Sequence, residues 1–110
     1  MNLVVKTRHM EVSEAMRHYV ESKAARLPRY YDNIQSIEVV LDMEADQAVV
    51  EIVVTASRKA TFVATHRQGD MYASVDQCLR KITEQLRRHK DKVRDRQTSP
   101  LSQSTDTGQD

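Results

Sequence analysis

Apolar and polar residues follow two rhythms along this chain, one of period two and one of period 3.6. The opening segment NLVVKTR (Asn2–Arg8) is rich in β-branched residues and reads as a first strand. Ser13 then offers a side-chain oxygen as an N-cap, with Glu14 placed to suit the helix dipole. Met16, Val20, Ala24 and Leu27 recur at helical spacing behind it, and Pro28 limits how far that helix continues. In SIEVVLDM (Ser36–Met43), Ile37, Val39, Leu41 and Met43 share one face while Glu38 and Asp42 share the other, which predicts a half-buried strand. The polar EADQ (Glu44–Gln47) predicts a hairpin connection to a third strand, Ala48–Ala56. SRK (Ser57–Lys59) turns into a fourth, Ala60–His66, and must do so without glycine. Past Gly69, Asp70 can cap a long helix whose apolar stripe is Met71, Val75, Cys78, Leu79, Ile82, Leu86 and Val93. Run from Met71 to Asp95, it is about 37 Å long, more than a small sheet needs for cover.

The predicted order is β-α-β-β-β-α, an α+β fold. A strand–helix–strand unit followed by two hairpins makes a four-stranded mixed sheet. Each helix has one apolar stripe, so both must pack on one sheet face. The opposite face stays more open and carries the acidic strand positions. Residues 1–96 make one domain, and the Ser/Thr/Gln-rich segment Gln97–Asp110 is expected to be a disordered tail.

Composition adds limits. The chain has 110 residues, of which 30% are charged and 39% hydrophobic, an ordinary soluble balance. Cys78 is the single cysteine, so no internal disulfide can form. No signal-peptide pattern and no apolar run of about 20 residues is present, which makes a cytoplasmic protein the expectation. No glycine-rich phosphate loop, zinc-helix motif or nucleophile elbow occurs, and the four histidines lack metal-ligand spacing. The sequence therefore points to a non-enzyme with no cofactor.

The net charge is only +1, but its distribution is uneven. Residues 80–96 carry eight basic against three acidic side chains, an excess of +5, and residues 38–51 carry five carboxylates with no Lys or Arg. Such polarity favours oriented encounter with a charged partner. At 100° per residue, the last helix places Lys81, Arg88 and Lys92 on one flank of its apolar stripe. Arg80, Arg87, Lys90 and Arg94 fall on the other. Ion pairs such as Glu84–Arg88 are expected to neutralise a minority of them. In the first helix Tyr19, Lys23 and Arg26 recur at i, i+4 and i+7, and Arg29 follows Pro28. If the helices lie side by side, cations of both border a common groove suited to a phosphate backbone.

These segments carry a resemblance. DMYASVD (Asp70–Asp76) with QLRRHKDK (Gln85–Lys92), and SEAMRHYVESKAARL (Ser13–Leu27) followed by YYD (Tyr30–Asp32), resemble a known family. It is the ribosome hibernation promoting factor and ribosome-associated inhibitor family, also called sigma-54 modulation protein. The resemblance covers about Met1 to Arg96 and implies a fold similar to a double-stranded RNA-binding domain. It implies a partner, the small ribosomal subunit, alone or within 70S ribosomes or ribosome dimers and with no membrane involved, occupied in the channel of messenger and transfer RNA, so that translation is inhibited sterically. It also implies contacts to 16S ribosomal RNA from Lys23, Arg26, Lys81, Arg88, Lys90 and Lys92. Arg87 joins this set as a candidate, although the family pattern is not fixed as basic there. Long members of the family have a second, dimerising domain; the sequence resembles the short form.

Two other function classes remain open on the residues alone. One is a general double-stranded RNA binder without ribosome preference. The other is a protein-interaction module that uses the exposed sheet and its carboxylates. Among single residues, Asp70 is expected to be an N-cap, and Tyr72 to pack with its hydroxyl hydrogen-bonded. Cys78 should be a buried small hydrophobe, and His89 a core-edge imidazole or an RNA donor.

Overall fold

In the computed structural model the backbone is described for residues 1–97, and side chains for residues 1–90 apart from Lys59. The elements are β1 (Asn2–Arg8), α1 (Glu14–Ala24), β2 (Ile34–Glu44), β3 (Gln47–Ala56), β4 (Thr61–Gln68) and α2 (Met71–Gln97). The sheet order is β1-β2-β3-β4, with β1 parallel to β2 and both later pairs antiparallel. This is the four-stranded mixed sheet that the alternation predicts. The tail reading for residues 98–110 lies outside the described residues.

Register explains why one face is apolar. Leu3, Ile37, Val54 and Phe62 stand side by side across the sheet, and so do Val5, Val39, Ile52 and Ala64. Onto these rows α1 lowers Met16, Val20 and Ala24, and α2 lowers Val75, Cys78, Ile82 and Leu86, the last four fully buried. Both helices thus cover the same face. The other face presents Val4, Lys6, Glu38, Val40, Asp42, Glu51, Val53 and Val63. The carboxylates of β2 and β3 therefore sit opposite the helices. Val4 and Val63 are nearly half exposed there.

The helix starts obey the caps read from sequence. The Met16 N–H donates to Ser13 Oγ at 3.1 Å, and the Ala73 N–H donates to Asp70 Oδ2 at 2.9 Å. The first helix ends earlier than its stripe suggests. Pro28 has no N–H to extend the ladder, so the chain tightens after Ala24 and makes a 3-10 turn at Leu27–Arg29. Leu27 still reaches the core. The hairpin between β2 and β3 is a two-residue turn with Ala45 (φ 48) and Asp46 (φ 67) both left-handed, the type I′ pattern. Arg58 (φ 62) supplies the left-handed residue that lets Ser57–Lys59 turn without glycine.

Buried polar groups are matched. Ser74, fully buried, donates its hydroxyl to the Ala48 carbonyl at 2.9 Å and ties the start of α2 to β3. The Cys78 thiol lies 3.3 Å from the Ala64 carbonyl, and burial pushes its pKa up to about 12. Asp42 departs from its expected setting. It lies on the open face but is only 6% exposed, because His9 (φ 57) folds the chain back so that its imidazole meets Asp42 Oδ1 at 2.9 Å. The Met43 N–H donates to the same oxygen at 2.8 Å. Together these bonds hold the Asp42 carboxyl below the usual aspartate range, the His9 bond contributing most.

Candidate nucleic-acid interface

The helices meet along two facing stripes. From α2 come Asp76, Arg80, Thr83 and Arg87, spaced i, i+4, i+7 and i+11; from the α1 side come Lys23, Arg26 and Tyr30. Between them is a groove that deepens into a cavity of about 260 Å³, with Leu27 and Leu79 among its apolar lining. Four cations, Lys23, Arg26, Arg80 and Arg87, line this one recess.

Ring and hydroxyl contacts fix the geometry. The Tyr19 hydroxyl donates to Asp76 Oδ1 at 2.6 Å, joining α1 to α2. That hydrogen bond, more than burial, raises the Tyr19 pKa to about 12. The Lys23 ammonium lies 5.2 Å from the centre of the Tyr19 ring, and the Arg87 guanidinium 5.1 Å from that of Tyr30. Both separations are within cation–π range. Tyr72 packs edge-on against Tyr19 with ring centres 4.9 Å apart. Its packing matches the expectation; its hydroxyl, however, has no hydrogen bond among the described residues, and it is the Tyr19 hydroxyl that donates to Asp76. His89 wedges between Tyr31 and Phe62, with ring centres 5.4 and 5.2 Å away, and so sits at the core edge.

The ion pairs formed between described side chains are Lys6–Glu38 and Arg67–Glu44, both between strand residues. The expected Glu84–Arg88 pair is not among them. None of the groove cations is neutralised by a carboxylate within ion-pair distance among the described residues. Their charge is therefore available to an external anion.

The candidate cations divide by location. Lys23, Arg26 and Arg87 share the groove, joined by Arg80, which belongs to the same helix flank but was not among the family-pattern positions. Cations of the α1 side and of α2 thus border one groove, as the sequence suggests, while Lys81 and Arg88 are not part of its lining. Lys81 reaches the opposite way, its ammonium donating to the Thr65 carbonyl on β4 at 2.8 Å, and Gln85 donates to the Val63 carbonyl at 2.8 Å. Arg88, two turns beyond Lys81, continues that flank, exposed. Lys90 is half-buried between the groove flank and the end of the apolar stripe. The Lys92 side chain lies outside the described residues. Among the described residues no group of His, Cys, Asp and Glu could hold a metal ion, and no helix is long and apolar enough to cross a membrane.

Comparison with known proteins bears on the same residues. The family model described as "Sigma 54 modulation protein / S30EA ribosomal protein" matches residues 3–94. The ribosome hibernation promoting factor of Azotobacter vinelandii is 35% identical over 97 residues, covering 88% of this chain and 90% of that protein. The protein of the same name in Salmonella typhimurium is 32% identical over 94 residues, covering 86% and 98%. In three dimensions the chain superposes on the Protein Y N-terminal domain of Thermus thermophilus with a TM-score of 0.72 at 32% identity, covering 81% of this chain and 99% of that one. A ribosomal subunit interface protein from Coxiella burnetii gives 0.73 at 26% identity, covering 83% and 99%. A family match across most of the sequence, together with relatives aligned over most of their own length, establishes that the chain belongs to the sigma 54 modulation protein / S30EA ribosomal protein family.

Proposed function

We propose that this protein is a ribosome hibernation factor, which binds the small ribosomal subunit at the messenger and transfer RNA channel and inhibits translation by occupying it. The observation that carries the reading is the inter-helix groove: four cations from two rigid elements on one side of the molecule, with no carboxylate partner among the described residues. Each phosphate met by such a side chain releases condensed counterions. The carboxylates Glu38, Glu44 and Glu51 lie on β2 and β3, and Glu38 and Glu51 share the opposite sheet face. A polyanion is repelled from that side, so the helical side leads. The relatives' names, ribosome hibernation promoting factor and ribosomal subunit interface protein, support the ribosome as the partner. Residues 1–96 form the binding unit in this reading, with 16S ribosomal RNA as the contacted surface and Lys81, Arg88, Lys90 and Lys92 as further candidate contacts beside those of the groove.

Cosedimentation with purified small subunits tests it. The protein should travel with the subunit, be displaced by transfer RNA, and resist competition by a free RNA duplex at equal phosphate concentration. Equal competition by the duplex would shift the assignment to a general double-stranded RNA binder. Binding that survives nuclease treatment and high salt would shift it to a protein-interaction module.

A further inference from the structure

Phosphate binding alone does not require a cavity, since a duplex backbone can rest on a convex row of cations. Here the cations surround a recess of about 260 Å³. That is just below the range of about 300–1,000 Å³ for drug-sized ligands, so a single ring system fits. Its lining includes Leu27, Leu79 and the Tyr30 ring, over which the Arg87 guanidinium lies at 5.1 Å. Two carboxylates, Asp76 and Glu84, share the recess with the cations. Asp76 gives one oxygen to Tyr19, while Glu84 has no ion-pair partner among the described residues. Carboxylates repel phosphate, so a surface built for backbone alone gains nothing from them. They accept hydrogen bonds from base donors.

We infer that the recess between α1 and α2 receives one unpaired nucleotide of the bound RNA, its base inserted beside Tyr30 and Arg87 and its donor edge read by Glu84. This rests on the ribosomal reading above and narrows it from a backbone contact to a nucleotide pocket. The flanking phosphates meet Lys23, Arg26 and Arg80 at the rim, and the Arg87 guanidinium, beside the base, donates to a phosphate as well. Unpaired bases are splayed out and stacked on aromatic rings and guanidinium planes in this way, with their Watson–Crick edges hydrogen-bonded. The carboxylate selects among bases. Guanine offers two adjacent donors, N1–H and N2–H, to one carboxylate; cytosine and adenine offer one amino group; uracil offers one N–H between two acceptors. Guanine is therefore the preferred occupant and uracil the poorest.

The test uses the full chain and a pair of RNA hairpins that differ by a single bulged guanosine, with a bulged-uridine hairpin as the third ligand. The bulged-guanosine hairpin should bind about tenfold more tightly than the fully paired one, the discrimination expected of one bidentate base contact. Amide NMR shifts on its addition should centre on Leu79, Thr83 and Tyr30. Glu84→Gln separates base reading from charge because the two move different quantities. Loss of an anion from a cationic groove should tighten every RNA alike, whereas replacing one of the two acceptor oxygens by an amino donor should shrink the preference for the guanosine over the uridine bulge. Glu84 is exposed, so the variant keeps the fold. Equal affinity for all three hairpins, or a Glu84→Gln variant that retains the guanosine preference undiminished, overturns the inference. Small-subunit cosedimentation run in parallel keeps the readings apart: a protein that cosediments yet shows no bulge preference has a ribosomal role without a nucleotide pocket.

Discussion

Neutralising the α2 side of the groove should change the salt dependence of ribosome binding by a predictable amount. Arg80 and Arg87 are exposed, face Lys23 and Arg26 across the recess, and have no carboxylate partner among the described residues. Each cation that meets a phosphate contributes about −0.7 to −0.9 to the slope of log K against log salt. Four groove contacts then contribute about −2.8 to −3.6, and a fourfold rise in salt weakens their share of binding about 50- to 150-fold. In the double variant Arg80→Gln/Arg87→Gln the slope should become shallower by about 1.4 to 1.8. The assay is equilibrium binding of end-labelled protein to purified small subunits across a fourfold range of ionic strength, with far-UV circular dichroism to verify the fold. Lys81→Gln/Arg88→Gln, on the flank over β4, is the matched comparison with the same change in net charge. A double groove variant with the parental slope, beside a flank variant whose slope collapses, would show that the groove faces away from the RNA and refute the reasoning.

Three further outcomes follow from the fold. Replacing the Ala45–Asp46 turn by Asn-Gly should stabilise the domain by about 1 kcal/mol, since both positions are left-handed and glycine adopts that region without the Cβ clash; thermal melting should move up by about 4–8 °C. The Asp42 carboxyl is held below its ordinary value by His9 and the Met43 N–H, so its contribution to stability is present above the unfolded aspartate value of about 4 and is lost as pH falls through the lowered folded value. Asp42→Asn should remove that part of the acid-induced loss in urea-unfolding midpoints, while an unchanged acid limb would place the pH sensitivity elsewhere. The Cys78 thiol, fully buried and pushed up to about 12, should resist thiol reagents in the native protein and react at a rate set by unfolding.

The elements were legible in the sequence where one physical signal dominates. Alternation across Ser36–Met43 and the polar Glu44–Gln47 turn before Ala48–Ala56 located the central hairpin, and Ser13 and Asp70 marked both helix starts through the oxygen that a cap requires. Helical spacing also identified the buried stripe of α2 from Val75 to Leu86. Side and partner were harder to read. Cations border both flanks of α2 almost evenly, and nothing local to that helix says which flank α1 lies against. Periodicity therefore separates Lys81 and Arg88 from Arg80 and Arg87 by flank but does not tell which pair meets α1. Left-handed residues at Ala45, Asp46 and Arg58 escape a search for glycine, because the closing strands impose those angles on ordinary side chains. Asp42 looked like an open-face carboxylate because the contact that covers it comes from His9, thirty-three positions away.

The two side-chain bridges from α2 to the Thr65 and Val63 carbonyls have a consequence for self-association. An outermost strand invites another chain to extend the sheet through its unpaired main-chain groups. Lys81 and Gln85 claim two acceptors of β4 from within the molecule and set a cationic guard beside them. Altering Lys81 thus unlatches a sheet margin as well as removing a charge, and loss of monodispersity in such a variant would have its origin there.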